Sequence, residues 1–228
     1  MSIKEKLAAL RETLGLEGTA KAPAAMLGAF TELVETEARN RPLRVGDVAP
    51  LFALRDGNDV LISSHEMLGR GPVVVTFYRG LWCPYCQRDL QSFEETLEDL
   101  RAENASVAAI SHQLNSDGSR RFQRDNPIGF PVLEDETGGV AVRFGIRWAP
   151  DDLSAIQEHL GIPATFQGTE PWITPMQARY VVGQDGMIAF AEMAFDYSER
   201  TDPTTVLPIL RQWAAGSQQR NSADGPLP

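Results

Sequence analysis

Two cysteines, Cys83 and Cys86, are the only thiols of the chain, and they stand at Cys-x-x-Cys spacing. An apolar run over residues 71–78 ends shortly before them, and a helical pattern begins at Pro84. Proline is tolerated in the first turn of a helix because its missing N–H group would have no partner there. We therefore expect Cys83 at a helix start, where free backbone N–H groups and the helix dipole stabilise an anion.

This position predicts a reactive thiol at Cys83. The pKa of Cys83 should lie below the free value of about 8.5, so that the nucleophilic thiolate is well populated at neutral pH. Arg79 and Arg88 can add positive potential. Cys86 should lie about one turn further into the helix and be less exposed. The sequence thus predicts that Cys83 attacks, and that Cys86 resolves the mixed disulfide or sulfenic acid formed on Cys83.

Two other interpretations of the cysteine pair have less support. A structural zinc site needs four ligands. The chain has no third cysteine, and its histidines, His65, His112 and His159, are isolated in the sequence. We therefore expect no metal, and we expect no other cofactor. Two buried and inert cysteines are the second alternative, but a strand followed by Cys-x-x-Cys and a helix favours redox chemistry.

The apolar pattern predicts the elements that would position these cysteines. Buried strands are expected over residues 71–78 and 105–112, with a helix from Pro84 to Leu100 between them. Short hairpins are expected around residues 56–58 and 184–186, and a last helix over residues 204–214. The order of strands and helices predicts an α/β fold with a central mixed β-sheet flanked by helices on both faces.

Three segments differ from this α/β domain, which we place at residues 43–215. Residues 1–42 predict an N-terminal helical extension of two amphipathic segments docked on the domain, and the alternative is a dimer-forming or partner-binding arm. Residues 147–176 have the character of an insertion, partly helical around residues 153–160. Residues 216–228 have little to bury and predict a disordered tail.

Charge and hydropathy restrict the partners and the location. The formal net charge of -10 disfavours nucleic acid and anionic membranes as partners, because both need a basic field. No apolar run approaches the roughly 20 residues of a membrane span, and residues 1–10 lack the apolar core of a secretory signal. We therefore expect a cytoplasmic protein, in whose compartment stable structural disulfides are rare.

Several longer stretches occur in an order that resembles one known family. They are FYRGLWCPYC, VGDVAPLFALRDGNDV, FPVLEDETGGVAVRFGI and ARYVVGQDGMI. The first resembles the active site of the thioredoxin-fold superfamily. Together, from about Val45 to about Trp213, they resemble the peroxiredoxin-like branch of the alkyl hydroperoxide reductase/thiol-specific antioxidant family. The resemblance implies a thioredoxin-like fold with an antioxidant, redox-active Cys-x-x-Cys pair.

The resemblance also implies an activity and its partners. Cys83 would reduce a hydroperoxide, as in a thiol peroxidase, or a disulfide, as in a thiol–disulfide oxidoreductase, and Cys86 would resolve the product. A thiol donor such as thioredoxin or glutathione would then reduce the pair, and the protein could form a homodimer. The alternative is a redox sensor or binding protein that retains the fold and forms its disulfide without turnover.

Some positions near the site depart from the family pattern. Thr76 and Gly80 take the places of the proline and the hydroxyl residue in the Pro-x-x-x-Thr/Ser-x-x-Cys signature of peroxiredoxins. Gln177 takes the place of the arginine that positions peroxide and thiolate. Arg179, two residues along the same strand face, is either a substitute for that arginine or part of a structural salt bridge. The resemblance implies that Trp82 shields Cys83, and simple packing is its alternative role.

Overall fold

A mixed β-sheet lies at the centre of the fold. The computed structural model describes residues 2–13, 41–81, 83–112, 116–148, 174–194 and 200–223. Within these residues the sheet has seven strands, which are β1 (Ala53–Asp56), β2 (Leu61–Ser63), β3 (Val73–Phe77), β4 (Ser106–Ser111), β5 (Val132–Glu134), β8 (Gln177–Val182) and β9 (Ile188–Ala194). Their spatial order is β2-β1-β5-β4-β3-β8-β9. A separate pair, β6 (Arg147–Trp148) and β7 (Thr174–Pro175), is antiparallel.

Helices cover both faces of this sheet. In chain order they are α1 (Ile3–Thr13), α2 (Ser64–Arg70), α3 (Pro84–Ala102), α4 (Ser116–Asp125), α5 (Gly139–Arg143) and α6 (Leu207–Ala223), with a 3-10 turn at Pro203–Val206 before α6. Buried residues of α2 and α5 belong to the apolar cluster on one face, and buried residues of α1, α3, α4 and α6 belong to the cluster on the other. The predicted fold class, an α/β fold with a central mixed sheet between helices, is confirmed.

Strand β3 lies inside the sheet and carries the site at its carboxyl end. It is parallel to β4 and antiparallel to β8, with Val75 opposite Ala108 and Tyr180. All five of its residues are buried. Because side chains alternate between the faces of a strand, Val73, Val75 and Phe77 enter one apolar cluster, while Val74 enters the cluster that holds both cysteines.

Helix α3 packs on the cysteine-containing face. Its apolar residues recur at helical spacing, and Leu90, Phe93, Leu97 and Leu100 are all buried. The helix begins at Pro84, as predicted, and ends at Ala102. This long buried face fixes α3 against the sheet, so the helix start is held at the end of β3.

The N-terminal helix α1 packs against α3. Ile3 and Leu7 are almost fully buried in the same apolar cluster as the cysteines, and Lys6 forms an ion pair with Glu95 of α3. The second predicted amphipathic segment lies in residues 14–40, outside the described residues. The bounds of the N-terminal extension therefore stay a prediction.

The C-terminal helix differs from the prediction. We expected a helix over residues 204–214 and a disordered tail from residue 216, but α6 continues to Ala223. The prediction weighed the lack of apolar residues there, whereas Gln218, Gln219 and Arg220 have high intrinsic helix propensity and continue a helix that begins at Leu207. Residues 224–228 lie outside the described part of the chain.

The predicted insertion at residues 147–176 has its two ends joined. Arg147 pairs with Pro175, and Trp148 pairs with Thr174, across β6 and β7. The backbone N–H of Met176 also donates to the carbonyl of Ile146 at 2.6 Å. The helix predicted near residues 153–160 lies outside the described residues, so the bounds of the insertion stay a prediction.

Candidate active site

Cys83 caps the N-terminus of α3. Its backbone is extended, with φ -90° and ψ 113°, and Pro84 is the first helical residue. The N–H of Gln87 donates to the Cys83 carbonyl at 3.0 Å, which closes the first turn of the helix. The predicted helix start is confirmed, and the backbone N–H of Cys86, in the first turn of the helix, hydrogen-bonds to the Cys83 side chain.

Arg79 provides the first positive charge at the site. Its Nη2 donates to the Cys83 Sγ at 3.1 Å, and both residues are buried, at 5% and 1% exposure. Arg79 lies in the loop that joins β3 to α3, and the Thr174 hydroxyl donates to its carbonyl at 3.2 Å. The supporting position predicted for Arg79 is thus next to the thiol. A hydrogen bond from a guanidinium to sulfur favours the thiolate.

Cys86 lies deeper, at 0% exposure, beside a second guanidinium. The Nη2 of Arg200 lies 3.8 Å from the Cys86 Sγ. Arg200 was not predicted from the sequence, which suggested Arg88 as the second source of positive charge. Arg200 belongs to the segment before the last helix, far from the cysteines in sequence, and no local pattern connects it to them.

The pKa values of the two thiols are shifted in opposite directions. Burial alone would raise the pKa of Cys83, but the hydrogen bond from Cys86 and the charges of Arg79 and Arg200 hold it well below the ordinary value. Burial raises the pKa of Cys86, and its hydrogen bond and repulsion with Cys83 raise it further. The direct contact of Arg79 with Cys83 gives the same assignment. Both observations favour the thiolate form at Cys83 and the neutral thiol form at Cys86.

Asp89 is a buried carboxylate that was not predicted as a site residue. It is 2% exposed and lies one helical turn beyond Cys86 on α3. Its Oδ1 accepts from Arg179 Nη2 at 3.1 Å, and its Oδ2 lies 3.7 Å from Arg200 Nε. An acidic residue on the otherwise apolar face of an amphipathic helix was the available sequence signal.

Arg179 lies in a salt-bridge network beside the thiols. Besides Asp89, it lies 3.9 Å from the Glu192 carboxylate and donates to the Thr201 carbonyl at 2.9 Å. Its guanidinium carbon is 4.5 Å from the centre of the Phe93 ring. Of the two alternatives for Arg179, the structure shows the salt bridge. Within the described ranges, the guanidiniums that donate to a cysteine sulfur are those of Arg79 and Arg200.

A small polar cavity adjoins this network. Its volume is about 20 Å³, which suits a water-sized molecule. The side chain of Gln177 is 6% exposed at this cavity, and neither of its amide atoms has a hydrogen-bond partner among the described residues. The cavity is lined by Thr76, Asp89, Gln177, Ala178, Arg179, Glu192, Arg200 and Thr201.

Trp82 lies outside the described residues, so its shielding of Cys83 stays a prediction. Across the described ranges, no group of three or more histidine, cysteine, aspartate or glutamate residues could hold a metal ion. Across the same ranges, no helix is long and apolar enough to cross a membrane.

The chain is similar in sequence to one protein family and to proteins named as peroxiredoxins and thiol-disulfide oxidoreductases. The AhpC/TSA family matches residues 45–191 of the chain. Peroxiredoxin Q, a chloroplastic protein of Oryza sativa subsp. japonica, is 26% identical over 162 residues; the match covers 69% of this chain and 64% of that protein, just under two thirds of its length. Thiol-disulfide oxidoreductase ResA of Halalkalibacterium halodurans is 28% identical over 116 residues, which cover 51% of this chain and 64% of ResA.

Solved structures share the fold. The crystal structure of peroxidoxin BcpB from Mycobacterium tuberculosis superposes with a TM-score of 0.58 at 21% identity. The superposition covers 75% of this chain and 97% of that one. At this identity the similarity shows a common thioredoxin-like architecture.

Proposed function

The chain belongs to the AhpC/TSA family, and on that premise we propose that it is a thiol-dependent oxidoreductase. Its preferred substrates in this proposal are small hydroperoxides. The observation that carries the proposal is the contact of Arg79 with Cys83 at the start of α3, with Cys86 one turn away. It provides a stabilised thiolate and a second thiol within reach of it, which are the two groups that the reaction needs.

The reaction proceeds in two steps on the protein. The Cys83 thiolate attacks the terminal oxygen of the hydroperoxide, the O–O bond breaks, and the alkoxide leaves and takes up a proton. Cys83 is then a sulfenic acid. Cys86 attacks the Cys83 sulfur, and its proton leaves with the hydroxide as water. The product is a Cys83–Cys86 disulfide, which two equivalents of an external thiol reduce.

Burial of the thiols favours a small substrate. Cys83 is 1% exposed and Cys86 is 0% exposed. A protein disulfide must bring a sulfur into line with Cys83, together with the backbone on either side of it. Hydrogen peroxide has only two heavy atoms, so it needs far less opening of the site. The reduced site therefore suits hydrogen peroxide better than a bulky substrate.

A second candidate is a thiol–disulfide oxidoreductase with the same cysteine roles. The Cys-x-x-Cys spacing and the similarity to ResA support it. Here the Cys83 thiolate would attack a disulfide, and Cys86 would release the reduced substrate. For either reaction we propose thioredoxin or glutathione as the reductant and the cytoplasm as the location, because both thiols must be returned to the reduced state. We also propose that the protein forms a homodimer.

Two assays with matched variants test the proposal. Consumption of hydrogen peroxide with dithiothreitol, thioredoxin or glutathione measures the peroxidase, and insulin reduction measures the disulfide reductase. We expect Cys83→Ser to abolish peroxide turnover. Cys86→Ser should retain the first step and accumulate sulfenic acid, which dimedone labels. Turnover that survives in Cys83→Ser would refute the cysteine roles.

The same assays separate an enzyme from a sensor. A sensor would form the Cys83–Cys86 disulfide stoichiometrically with peroxide, detectable by mass spectrometry, yet show no multiple turnover with any of the three reductants. Insulin reduction without peroxide consumption would instead favour the second candidate.

A further inference from the structure

We infer that Arg200 is a positioning residue for the second step: it stabilises Cys86 as the resolving thiolate after Cys83 has lost its negative charge. This inference rests on the proposed function, since it assigns a role within the resolution of oxidised Cys83. It distinguishes Arg200 from Arg79, whose contact is with the attacking sulfur.

The geometry pairs each guanidinium with one sulfur. Arg79 Nη2 lies 3.1 Å from the Cys83 Sγ, and Arg200 Nη2 lies 3.8 Å from the Cys86 Sγ. All four residues are at most 5% exposed. Charges at such separations interact strongly where water is excluded, because solvent screening is weak there. Both guanidiniums act on both sulfurs, and each acts most strongly on the sulfur that it contacts, because the interaction falls with distance.

The reaction itself changes the charge that Cys86 experiences. In the reduced site the Cys83 thiolate lies beside Cys86 and repels a second negative charge. Attack on a hydroperoxide or a disulfide makes the Cys83 sulfur neutral. Arg79 and Arg200 both remain positive, so their field is no longer offset by Cys83. Loss of the proton from Cys86 is then favoured at the moment when Cys86 must attack.

The direction of the pKa shifts supports this order. For Cys83, Arg79 opposes burial more strongly than Arg200 does. For Cys86, burial, the hydrogen bond with Cys83 and the Cys83 charge raise the pKa, and Arg200 opposes them more strongly than Arg79 does. Two of the three effects that raise the pKa of Cys86 come from Cys83 and depend on its reduced state.

The neighbouring charged and titratable groups fix Arg200 rather than replace it. Asp89 of α3 lies between two guanidiniums, that of Arg200 and that of Arg179 on β8. Its carboxylate therefore compensates part of their positive charge. Glu192 on β9 reaches Arg179, and burial raises the pKa of this carboxyl. Burial, together with the interaction with Cys86, raises the pKa of Tyr78 above its usual range. The phenol therefore stays neutral while the cysteines titrate.

The chemical step balances without an external base. The Cys86 sulfur forms a bond to the Cys83 sulfur while the S–O bond of the sulfenic acid breaks. The proton from Cys86 joins the departing hydroxide to give water. With a mixed disulfide on Cys83, the S–S bond to the substrate breaks, and the same proton goes to the departing thiolate.

The first test measures the ionisation of Cys86 alone. In Cys83→Ser, a neutral side chain replaces the thiolate, and the absorbance of Cys86 thiolate near 240 nm is followed against pH. We expect the midpoint to rise by about one unit or more when Arg200→Met is added, which is about a tenfold loss of thiolate below the midpoint. Arg79→Met, the matched control, should raise the midpoint less, and Arg200→Lys should restore part of the loss.

The second test separates the two steps in the protein with both cysteines. One equivalent of hydrogen peroxide is added, and thiolate loss, dimedone-reactive sulfenic acid and disulfide are followed over time. Arg200→Met should slow disulfide formation about tenfold while the first step changes less, so that sulfenic acid accumulates. Arg79→Met should mainly slow the first step.

The outcomes distinguish the inference from the proposed function. If the wild-type protein forms sulfenic acid and disulfide but Arg200→Met slows both steps equally, the inference is wrong and the proposed function stands. If the wild-type protein reacts neither with peroxide nor with a small disulfide such as oxidised glutathione, the proposed function fails. Arg200→Lys guards against misfolding, because it retains the charge; if it is folded and yet shows no rescue of the Cys86 midpoint, the inference is also overturned.

Discussion

Replacing Asp89 by asparagine should destabilise the reduced protein strongly. Asp89 is 2% exposed and lies between two buried guanidiniums, 3.1 Å from Arg179 and 3.7 Å from Arg200. Asparagine has the same size, so the substitution creates no cavity. It removes one negative charge beside Arg179 and Arg200. Among the described residues, Arg179 keeps an ion pair with Glu192, whose carboxylate lies 3.9 Å away and whose side chain is 30% exposed.

The size of the effect follows from burial. Removing one partner of a buried ion pair costs about 3–5 kcal/mol, because the charge left behind has lost both its water and its partner. For a chain of this length, 1 kcal/mol changes the melting temperature by roughly 2–4 °C. Asp89→Asn should therefore lower the melting temperature by about 6–20 °C. Typical domains have a total stability of only about 5–15 kcal/mol, so such a loss is easily measured.

The assay compares two aspartate-to-asparagine variants. Thermal and urea unfolding are followed by circular dichroism with excess dithiothreitol, so that both cysteines stay reduced. Asp125→Asn is the matched control, since Asp125 pairs with Arg121 on the surface, where the side chains are 54% and 78% exposed. An exposed pair of this kind contributes about 0–1 kcal/mol.

The relative effect of the two substitutions decides the outcome. If Asp89→Asn and Asp125→Asn change the melting temperature equally, Asp89 does not compensate the buried guanidiniums, and our account of the network is refuted. A double variant adds a second check. Arg179→Met together with Asp89→Asn should recover part of the loss, because one uncompensated charge is then removed.

Three further predictions concern backbone conformation, helix packing and pH. Gly145 has φ +69°, and a Cβ there would lie 2.1 Å from the Arg41 carbonyl oxygen, so Gly145→Ala should cost at least about 2 kcal/mol in urea unfolding. Gly69 lies in helix α2 with nothing within 4 Å of the position that a Cβ would take, so Gly69→Ala should instead raise the free energy of unfolding by about 0.5–1 kcal/mol. A change of the same sign in both variants would contradict this reasoning. Leu7→Ala should cost about 2–5 kcal/mol, because this residue is 2% exposed where α1 packs on α3; an unchanged urea midpoint would show that α1 unfolds separately. Finally, the pKa of Cys83 is lowered on folding, so the unfolded chain binds more protons just below about pH 8.5, and stability should rise with pH there. The pKa of Cys86 is raised on folding, so stability should fall with pH above about 8.5. Urea unfolding of the reduced protein measures both slopes, each at most about 1.4 kcal/mol per pH unit, and Cys83→Ser should lose the rising one.

Local patterns in the sequence were sufficient for the elements that carry the cysteines. The apolar run before Cys83 is strand β3, and the periodic apolar residues after Pro84 form helix α3. Both follow from short-range rules, namely side-chain alternation in strands and the 3.6-residue repeat of helices. The extended end of α6 was missed because a sequence with little to bury still has backbone propensity for helix.

The sequence by itself placed Cys83 at the start of α3 and Cys86 in its first turn, and it identified Arg79 as a nearby positive charge. Arg79 lies only four residues before Cys83, so the short connection between the strand and the helix keeps the two residues close in space. Tertiary structure decided the rest of the charge arrangement. Arg200 and Arg179 come from distant parts of the chain, and both meet Asp89 because the last helix and β8 pack around α3. Charges interact through space, so a sequence can identify a reactive thiol from its helix start but not the distant guanidinium that faces its partner.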